Sequence, residues 1–352
     1  MRDVILVTGG SGFIGNRFAE VIFLTRFARV RIGVRTWSGA ARAARFPMNV
    51  VLCDVLDRDQ VSAAMKSVSV VVHCAVGDER VIVDGTRNVL EAATQAGVSR
   101  VIHLSTAEVY GSDVSGRVDE TCRLTGDGSA YALAKVQAER LVWEYSARGL
   151  PVTVFRPSIV YGPWSDQWTA ALAERLQSGR WRRYAGYGDG TCNLVYVDDL
   201  VAAALSSLHS EHAVGQAFNV CGPDVVTWNE YFERFNTVIG FPRLNVESAA
   251  SAKAKSMVIG TVRSIAQVGL ARYGDALMKV YERGGWLAPI MRGTKRWLNS
   301  SPSTAQLESL YSRKAIYDWS KAVHLLGYRP AFDLDRGLRL SVDWLRYAGV
   351  LT

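Results

Sequence analysis

Val4-Ile5-Leu6-Val7-Thr8-Gly9-Gly10-Ser11-Gly12-Phe13-Ile14-Gly15 is the stretch whose reading decides the fold. Four apolar residues in a row read as a buried strand, the glycines as a tight turn, and Asn16 to Leu24 as a helix. Strand, Gly-x-x-Gly-x-x-Gly, helix is the context in which a backbone grips a dinucleotide. Gly9 permits the sharp turn, and Gly12 lets a pyrophosphate approach the amides at the helix start. Gly15 lets helix and strand pack closely. Gly9, Gly12, Phe13, Ile14 and Gly15 are therefore the expected cofactor cradle.

Outward from this stretch, strands and helices alternate. Arg29 to Arg35 reads as a second strand, Val50 to Asp54 as a third, Val68 to Ala75 as a fourth and Arg100 to Leu104 as a fifth. Pro151 to Phe155 and Phe218 to Cys221 read as a sixth and seventh, and Gly85 to Ala93 as a helix. That alternation predicts an α/β fold, a Rossmann-type doubly wound parallel sheet. The expected division is a cofactor domain at 1–155 plus about 191–222. A smaller substrate lobe takes about 156–190 and 223–352, with a basic apolar insertion at 241–312. Arg35 stands at the tip of the second strand with no acid near it. A guanidinium there suits a 2′-phosphate, so NADP is favoured over NAD. His73, at the end of the fourth strand, reads as a satisfied wall residue rather than a base.

The chain's 352 residues can bury a sizeable core and build two lobes. Hydrophobic content of 49% and charged content of 21% are those of an ordinary soluble globular protein. The first strand starts within a few residues of the first position, so no signal peptide is expected before the fold. No apolar run reaches the ~18 residues of a membrane span. Cys53, Cys74, Cys122, Cys192 and Cys221 form no C-x-x-C pair, so buried reduced thiols, no metal site and a cytoplasmic location are expected. The net charge is +8, and residues 241–300 carry ten Lys/Arg against three acids, a local +7. That segment would be drawn to phosphates or an anionic membrane surface, unless it is only a solvated face. Met257 to Tyr281 reads as a long basic apolar helix within it, and Ser300 to Thr304 as a surface loop.

The chemistry-bearing stretch follows the fifth strand. Ser105-Thr106-Ala107-Glu108-Val109-Tyr110-Gly111 runs into a loop, and Ser129-Ala130-Tyr131-Ala132-Leu133-Ala134-Lys135 then opens a helix to about Arg148. Tyr131 and Lys135, four apart, share a helical face. The ammonium is expected to lower the tyrosine pKa, as would a nicotinamide cation. A phenol so tuned can exchange a proton with a substrate hydroxyl while hydride moves, and Thr106 would hold the same oxygen.

Taken together, these motifs resemble the extended short-chain dehydrogenase/reductases, often called the NAD-dependent epimerase/dehydratase family. The matching residues are Thr8 to Gly15, Asp54, His73-Cys74-Ala75, Ser105-Thr106-x-Glu108-Val109-Tyr110-Gly111, Tyr131 and Lys135. They continue through Arg156-Pro157, Val160-Tyr161-Gly162-Pro163, Val195-Tyr196-Val197-Asp198-Asp199-Leu200, Phe218-Asn219-Val220 and Lys321-Ala322 to Trp344. The resemblance implies Thr106, Tyr131 and Lys135 as a catalytic triad and a homodimer built on the helices bearing it. It also implies cofactor contacts from Asp54 (to the adenine amino group), Val55 and Ala75, and an extra acid/base at Glu108, as in members that dehydrate or decarboxylate nucleotide sugars. Tyr161, Trp164 and Tyr196 would line the substrate, and Arg313 with Lys314 matches a basic pair that meets the diphosphate in some sugar dehydratases.

Two departures cut the other way. Ile159 stands where the nucleotide-sugar enzymes carry Asn, and Cys192-Asn193 where they carry Arg. A hydrophobic insertion before Lys321-Ala322 also marks the 3β-hydroxysteroid-dehydrogenase-like branch. The first expectation is therefore an NAD(P)-dependent oxidoreductase/epimerase/dehydratase-type enzyme acting on a hydroxyl or keto carbon of a sugar, expected to be nucleotide-linked. The alternative is an NADP-dependent alcohol/ketone oxidoreductase for a lipophilic substrate, with peripheral membrane contact through 241–300. Neither reading calls for nucleic acid.

Overall fold

The computed structural model describes residues 3–261 and 302–351. The chain divides into two compact units. The first comprises Met1–Ser165, Asn193–Asp224 and Ile316–Gly337, and the second Asp166–Cys192, Val225–Ala315 and Leu338–Thr352.

The first unit is built on seven strands: β1 (Val4–Thr8), β2 (Arg29–Val34), β3 (Asn49–Leu52), β4 (Val70–His73), β5 (Arg100–Leu104), β6 (Val152–Pro157) and β7 (Gln216–Val220). Their order is β7-β6-β5-β4-β1-β2-β3, and every pairing is parallel. Every residue of β4, β5 and β6 is buried, because helices cover both faces of the sheet. One face is filled by Phe18, Ile22, Ile102, Leu104, Val201 and Phe218, the other by Leu6, Val71, Val101, Leu90, Val142 and Val154. Each such side chain removed from water contributes about 1.5–3 kcal/mol.

The helices obey local stop and start signals. α1 (Phe13–Leu24) begins three residues before the expected Asn16, because the glycine turn closes directly onto it through a Gly12 N–H···O Gly9 bond of 3.0 Å. α2 (Arg58–Met65) is capped by Asp57. α3 (Glu79–Ala96) outruns the expected Gly85 to Ala93 at both ends, since Asp78 caps its start and Gly97, at φ +63°, ends it. α4 (Ala130–Ala147) starts at the Ser129 hydroxyl, which accepts the Ala132 amide at 3.0 Å.

Residues 316–337 were expected in the lobe but fall with the sheet. The Asp199 carboxylate takes the amides of Ala331 and Phe332, and the Tyr328 hydroxyl donates to the Cys221 carbonyl at 2.9 Å. Those long-range bonds are invisible in the sequence.

The second unit has an aromatic core of Trp181, Tyr184, Trp228, Tyr231, Phe232 and Tyr311, all at most 1% exposed. The Trp228 indole N–H is satisfied by the Leu310 carbonyl at 3.1 Å. Residues 249–261 are helical, so the described part of the expected Met257 to Tyr281 helix is helix; the remainder lies outside the described residues. Of the ten cations in 241–300, Arg243, Lys253 and Lys255 are described, and each pairs with an acid: Glu233, Glu308 and Glu247. In the 300–304 stretch, Thr304 already belongs to a helical segment. All five cysteines are free thiols. Among the described residues, no helix is long and apolar enough to cross a membrane and no metal-binding cluster occurs.

Candidate active site

The sheet register builds the site. Thr8 aligns with His73 and His73 with His103, so the C-terminal ends of β1, β4 and β5 stand side by side. At roughly 4.8 Å per strand, the glycine turn after β1 and the Ser105-Thr106 end of β5 lie about 10 Å apart, with Ala75 between them. Gly9 has φ +65°, and a Cβ there would sit 2.7 Å from the backbone of Ala75. A Cβ on Gly15 would collide with the Gly9 carbonyl. Gly12 heads α1 with no side-chain cap, which leaves the first-turn amides at Phe13 and Ile14 to an incoming anion. These residues fit a dinucleotide. Val55 and Ala75 are buried along the same edge, and one Asp54 carboxylate oxygen accepts its own turn's Leu56 amide at 3.0 Å. Arg35 is exposed just past β2.

Beside that turn, α4 delivers Tyr131 and Lys135. Lys135 is 5% exposed, and its Nζ donates to the Leu104 carbonyl at 2.8 Å. Burial lowers its pKa to about 8, against the opposing pull of Cys74 and Glu139. Tyr131 remains 39% exposed. Its pKa is not lowered as expected but pushed up to about 12, first by desolvation, with the Glu108 charge adding and a hydrogen bond with Thr106 opposing. Desolvation is the largest of these effects, and a sequence does not display it. Glu108 is half-buried, and its amide donates to the Thr106 hydroxyl at 3.2 Å. Thr106, Glu108, Tyr131 and Lys135 are thus brought together at one strand end. His73 is the satisfied wall residue anticipated: its ring nitrogens meet the Thr8 and Thr86 hydroxyls at 2.7 and 3.0 Å, and burial drives its pKa down to about 3.

Residues 5–221 match the NAD dependent epimerase/dehydratase family. The chain belongs to that family. As an epimerase/dehydratase-type short-chain dehydrogenase/reductase it is an enzyme. It is 25% identical to 3beta-hydroxysteroid-dehydrogenase/decarboxylase isoform 1 of Arabidopsis thaliana, an alignment covering 96% of this chain and 78% of that protein. It is 30% identical to the UDP-N-acetyl-alpha-D-glucosaminuronate decarboxylase of Bacillus cytotoxicus over 64% of this chain and 76% of that one. The UDP-glucose 4-epimerase of Thermotoga maritima shares the fold, with a TM-score of 0.73, 22% identity, and 98% of this chain and 99% of that chain covered.

The side chains that this epimerase/dehydratase family member was expected to turn toward substrate are otherwise engaged. Tyr161 is 2% exposed, with its hydroxyl end against Gly337 and its ring edge-on to Tyr196 at 5.6 Å. Tyr196 is 3% exposed and stacks on Phe332 at 4.3 Å. Both rings are core, not lining. The guanidinium groups of Arg42 and Arg45 stand 4.8 and 4.7 Å from the centre of the Trp164 ring. In the second unit, the Arg313 Nε donates to the Ser309 carbonyl at 3.2 Å. Cys192 is fully buried, and the Asn193 side chain accepts the Tyr317 amide at 3.3 Å. The sequence reading missed Arg42 and Arg45. It also missed a buried polar network beneath the triad. There Glu139 binds Ser105 and Arg156, and Arg156 reaches the Tyr110 hydroxyl at 3.0 Å. The spacing of Glu139, four residues after Lys135 on the same helical face, was the signal available.

Proposed function

We propose that the protein is an NAD(P)-dependent oxidoreductase for a secondary alcohol or ketone carbon on a lipophilic ring, sterol-like in class. Tyr131 is its acid/base, Thr106 the residue that holds the reacting oxygen, and Lys135 the cation beside them. The observation that carries the chemistry is the convergence of Thr106, Tyr131 and Lys135 at the end of β5, two strands from the glycine turn: Lys135 is anchored on the Leu104 carbonyl at 2.8 Å, and Tyr131 stands one turn earlier on the same helix. The cofactor supplies the hydride acceptor or donor and, when oxidised, a positive charge. In the oxidising direction, Tyr131 Oη takes the substrate hydroxyl proton as the carbon gives up hydride. In reduction it returns that proton to the carbonyl oxygen. With its pKa at about 12 in the cofactor-free protein, the phenol is protonated at neutral pH and ready to donate in reduction; in oxidation it must first lose that proton to solvent, which the positive charge of an oxidised nicotinamide would favour.

The lipophilic class rests on what meets a diphosphate in the sugar enzymes and is missing here. Ahead of Leu194-Val195-Tyr196 stand a buried Cys192 and an Asn193 whose side chain accepts a backbone amide, and Ile159 offers no side-chain amide. The relative named as a hydroxysteroid dehydrogenase/decarboxylase aligns over 96% of the chain. The test is a panel of 3β-hydroxysterols with NAD+ and NADP+, followed by the absorbance of the reduced nicotinamide. Turnover that Tyr131→Phe lowers at least 100-fold is the expected result. Full activity in Tyr131→Phe would sink the mechanism.

The sugar reading, with Glu108 as a further acid/base, keeps the support of the Glu108 charge acting on Tyr131. It requires UDP- or dTDP-sugars to raise Tm in the presence of cofactor, whereas the sterol reading requires no such shift. Arg35, exposed and without an acid beside it, supports NADP over NAD. Arg35→Asp should reverse the preference, and an unchanged NADP/NAD ratio would show that Arg35 does not read the phosphate.

A further inference from the structure

Below the triad lies a charge that the mechanism does not use. Glu139 is 0% exposed and Arg156 4%, and the two form a buried ion pair, with Arg156 Nη2 2.7 Å and Nε 3.1 and 3.2 Å from the carboxylate oxygens. The same carboxylate accepts the Ser105 hydroxyl, and Ser105 is joined to Thr106. On the other side of this strand end, Lys135 holds the Leu104 carbonyl. Two side chains one turn apart on α4 therefore grip the last residue of β5, Leu104, and the residue that follows it, Ser105, immediately before Thr106. Arg156 is itself fixed by the Tyr110 hydroxyl, which donates to Asn219 Oδ1 at 2.7 Å.

We propose that Glu139 is a positioning residue for the Thr106–Tyr131–Lys135 site. Pinned by Arg156, its carboxylate sets the end of β5 that carries Thr106 and supplies the negative charge that keeps Lys135 a cation. The proposal rests on the triad reading above. A buried ion pair is a costly way to fill space, and apolar residues of the same volume would pack as well. A carboxylate that holds Ser105, beside Thr106, and lies one helical turn from the buried Lys135 ammonium gives the pair a use.

The groups around Lys135 leave Glu139 this work. From β4 it faces His73 and Cys74, and from β5 His103; both histidines are neutral and both thiol and imidazoles are deeply desolvated. On its own helix stand Tyr131 one turn before it, a protonated phenol, and Glu139 one turn after it. Glu139 is the full negative charge among them, since burial holds the Cys74 thiol protonated. On the far side of Glu139 stand Arg156 and Ser105.

The protein has eight lysines. Labelling them with 13C at Cε and identifying Lys135 as the signal lost in Lys135→Arg gives a direct titration, independent of substrate. In the wild type the midpoint should lie near 8. In Glu139→Gln it should fall by about one pH unit. Glu139→Gln strands the buried Arg156 guanidinium, so the double variant Glu139→Gln/Arg156→Met is measured beside it; there the loss of the more distant Arg156 charge offsets part of the effect, and a smaller fall in the same direction is expected. A Lys135 midpoint unmoved in either folded variant overturns the proposal. The two readings separate cleanly. An unmoved midpoint with turnover abolished in Tyr131→Phe removes the role of Glu139 alone. A moved midpoint with turnover intact in Tyr131→Phe removes the triad, and with it the site that Glu139 would position.

Discussion

The Lys135 ammonium is seated on the Leu104 carbonyl at 2.8 Å, two residues before Thr106. An ammonium held there, 5% exposed, is a destabilising element kept for its charge. Its pKa is about 8 in the folded protein against the ordinary 10.5. Between those values the unfolded chain binds the extra proton, so Lys135's contribution makes folding more favourable as pH rises from about 8 to about 10.5. Below about 8 the penalty is fully present. Lys135→Met should therefore be more stable than wild type at pH 7, by at most about 3 kcal/mol. Thermal melts at a series of pH values should show that margin shrinking above pH 8. A margin independent of pH would show that Lys135 is not desolvated.

The ion pair behind it predicts a strong asymmetry. Arg156→Met leaves the Glu139 carboxylate buried without its partner, and should cost about 3–5 kcal/mol in chemical denaturation. Combining it with Glu139→Gln removes both charges and should recover most of that loss. If the single and double variants unfold at the same denaturant concentration, the pair is not electrostatically coupled.

Gly9 can be tested by one methyl group. Gly9→Ala must accept φ +65° and place a Cβ 2.7 Å from the Ala75 backbone. The turn would shift, and affinity for the reduced cofactor, read by its fluorescence, should fall at least ~10-fold, about 1.4 kcal/mol. Unchanged affinity would place the cofactor elsewhere.

Tyr161 separates core from lining. A Cβ on Gly337 would run into the Tyr161 hydroxyl, so Gly337→Ala should destabilise the fold by about 1–3 kcal/mol through overpacking. At a temperature where the variant is still folded, the KM of whichever ring substrate is found should stay near the wild-type value. A large rise in KM at constant stability would return Tyr161 to the substrate site.

Parallel strands announced themselves because both of their faces are covered, so they appear as continuous apolar runs such as Val70-Val71-Val72. Helix ends were harder. α1 starts on a glycine turn rather than at a polar cap, so no polar residue in the sequence marks its start at Phe13 rather than Asn16. The candidate site was legible where chemistry and spacing coincide, at Thr106, Tyr131 and Lys135. It was not legible where burial decides. Tyr161 and Tyr196 look like ligand-stacking aromatics in a sequence and are core in the structure.

By itself, the sequence determined the seven-stranded architecture, the glycine cradle and the pairing of a phenol with an ammonium on one helix face, because periodicity and residue spacing encode all three. Only the tertiary structure decided that the Tyr131 pKa rises rather than falls, that residues 316–337 join the sheet, and that Glu139 and Arg156 stand as a buried pair beneath the site. Desolvation and long-range contacts arise when distant segments exclude water together, and no local stretch of sequence carries that information.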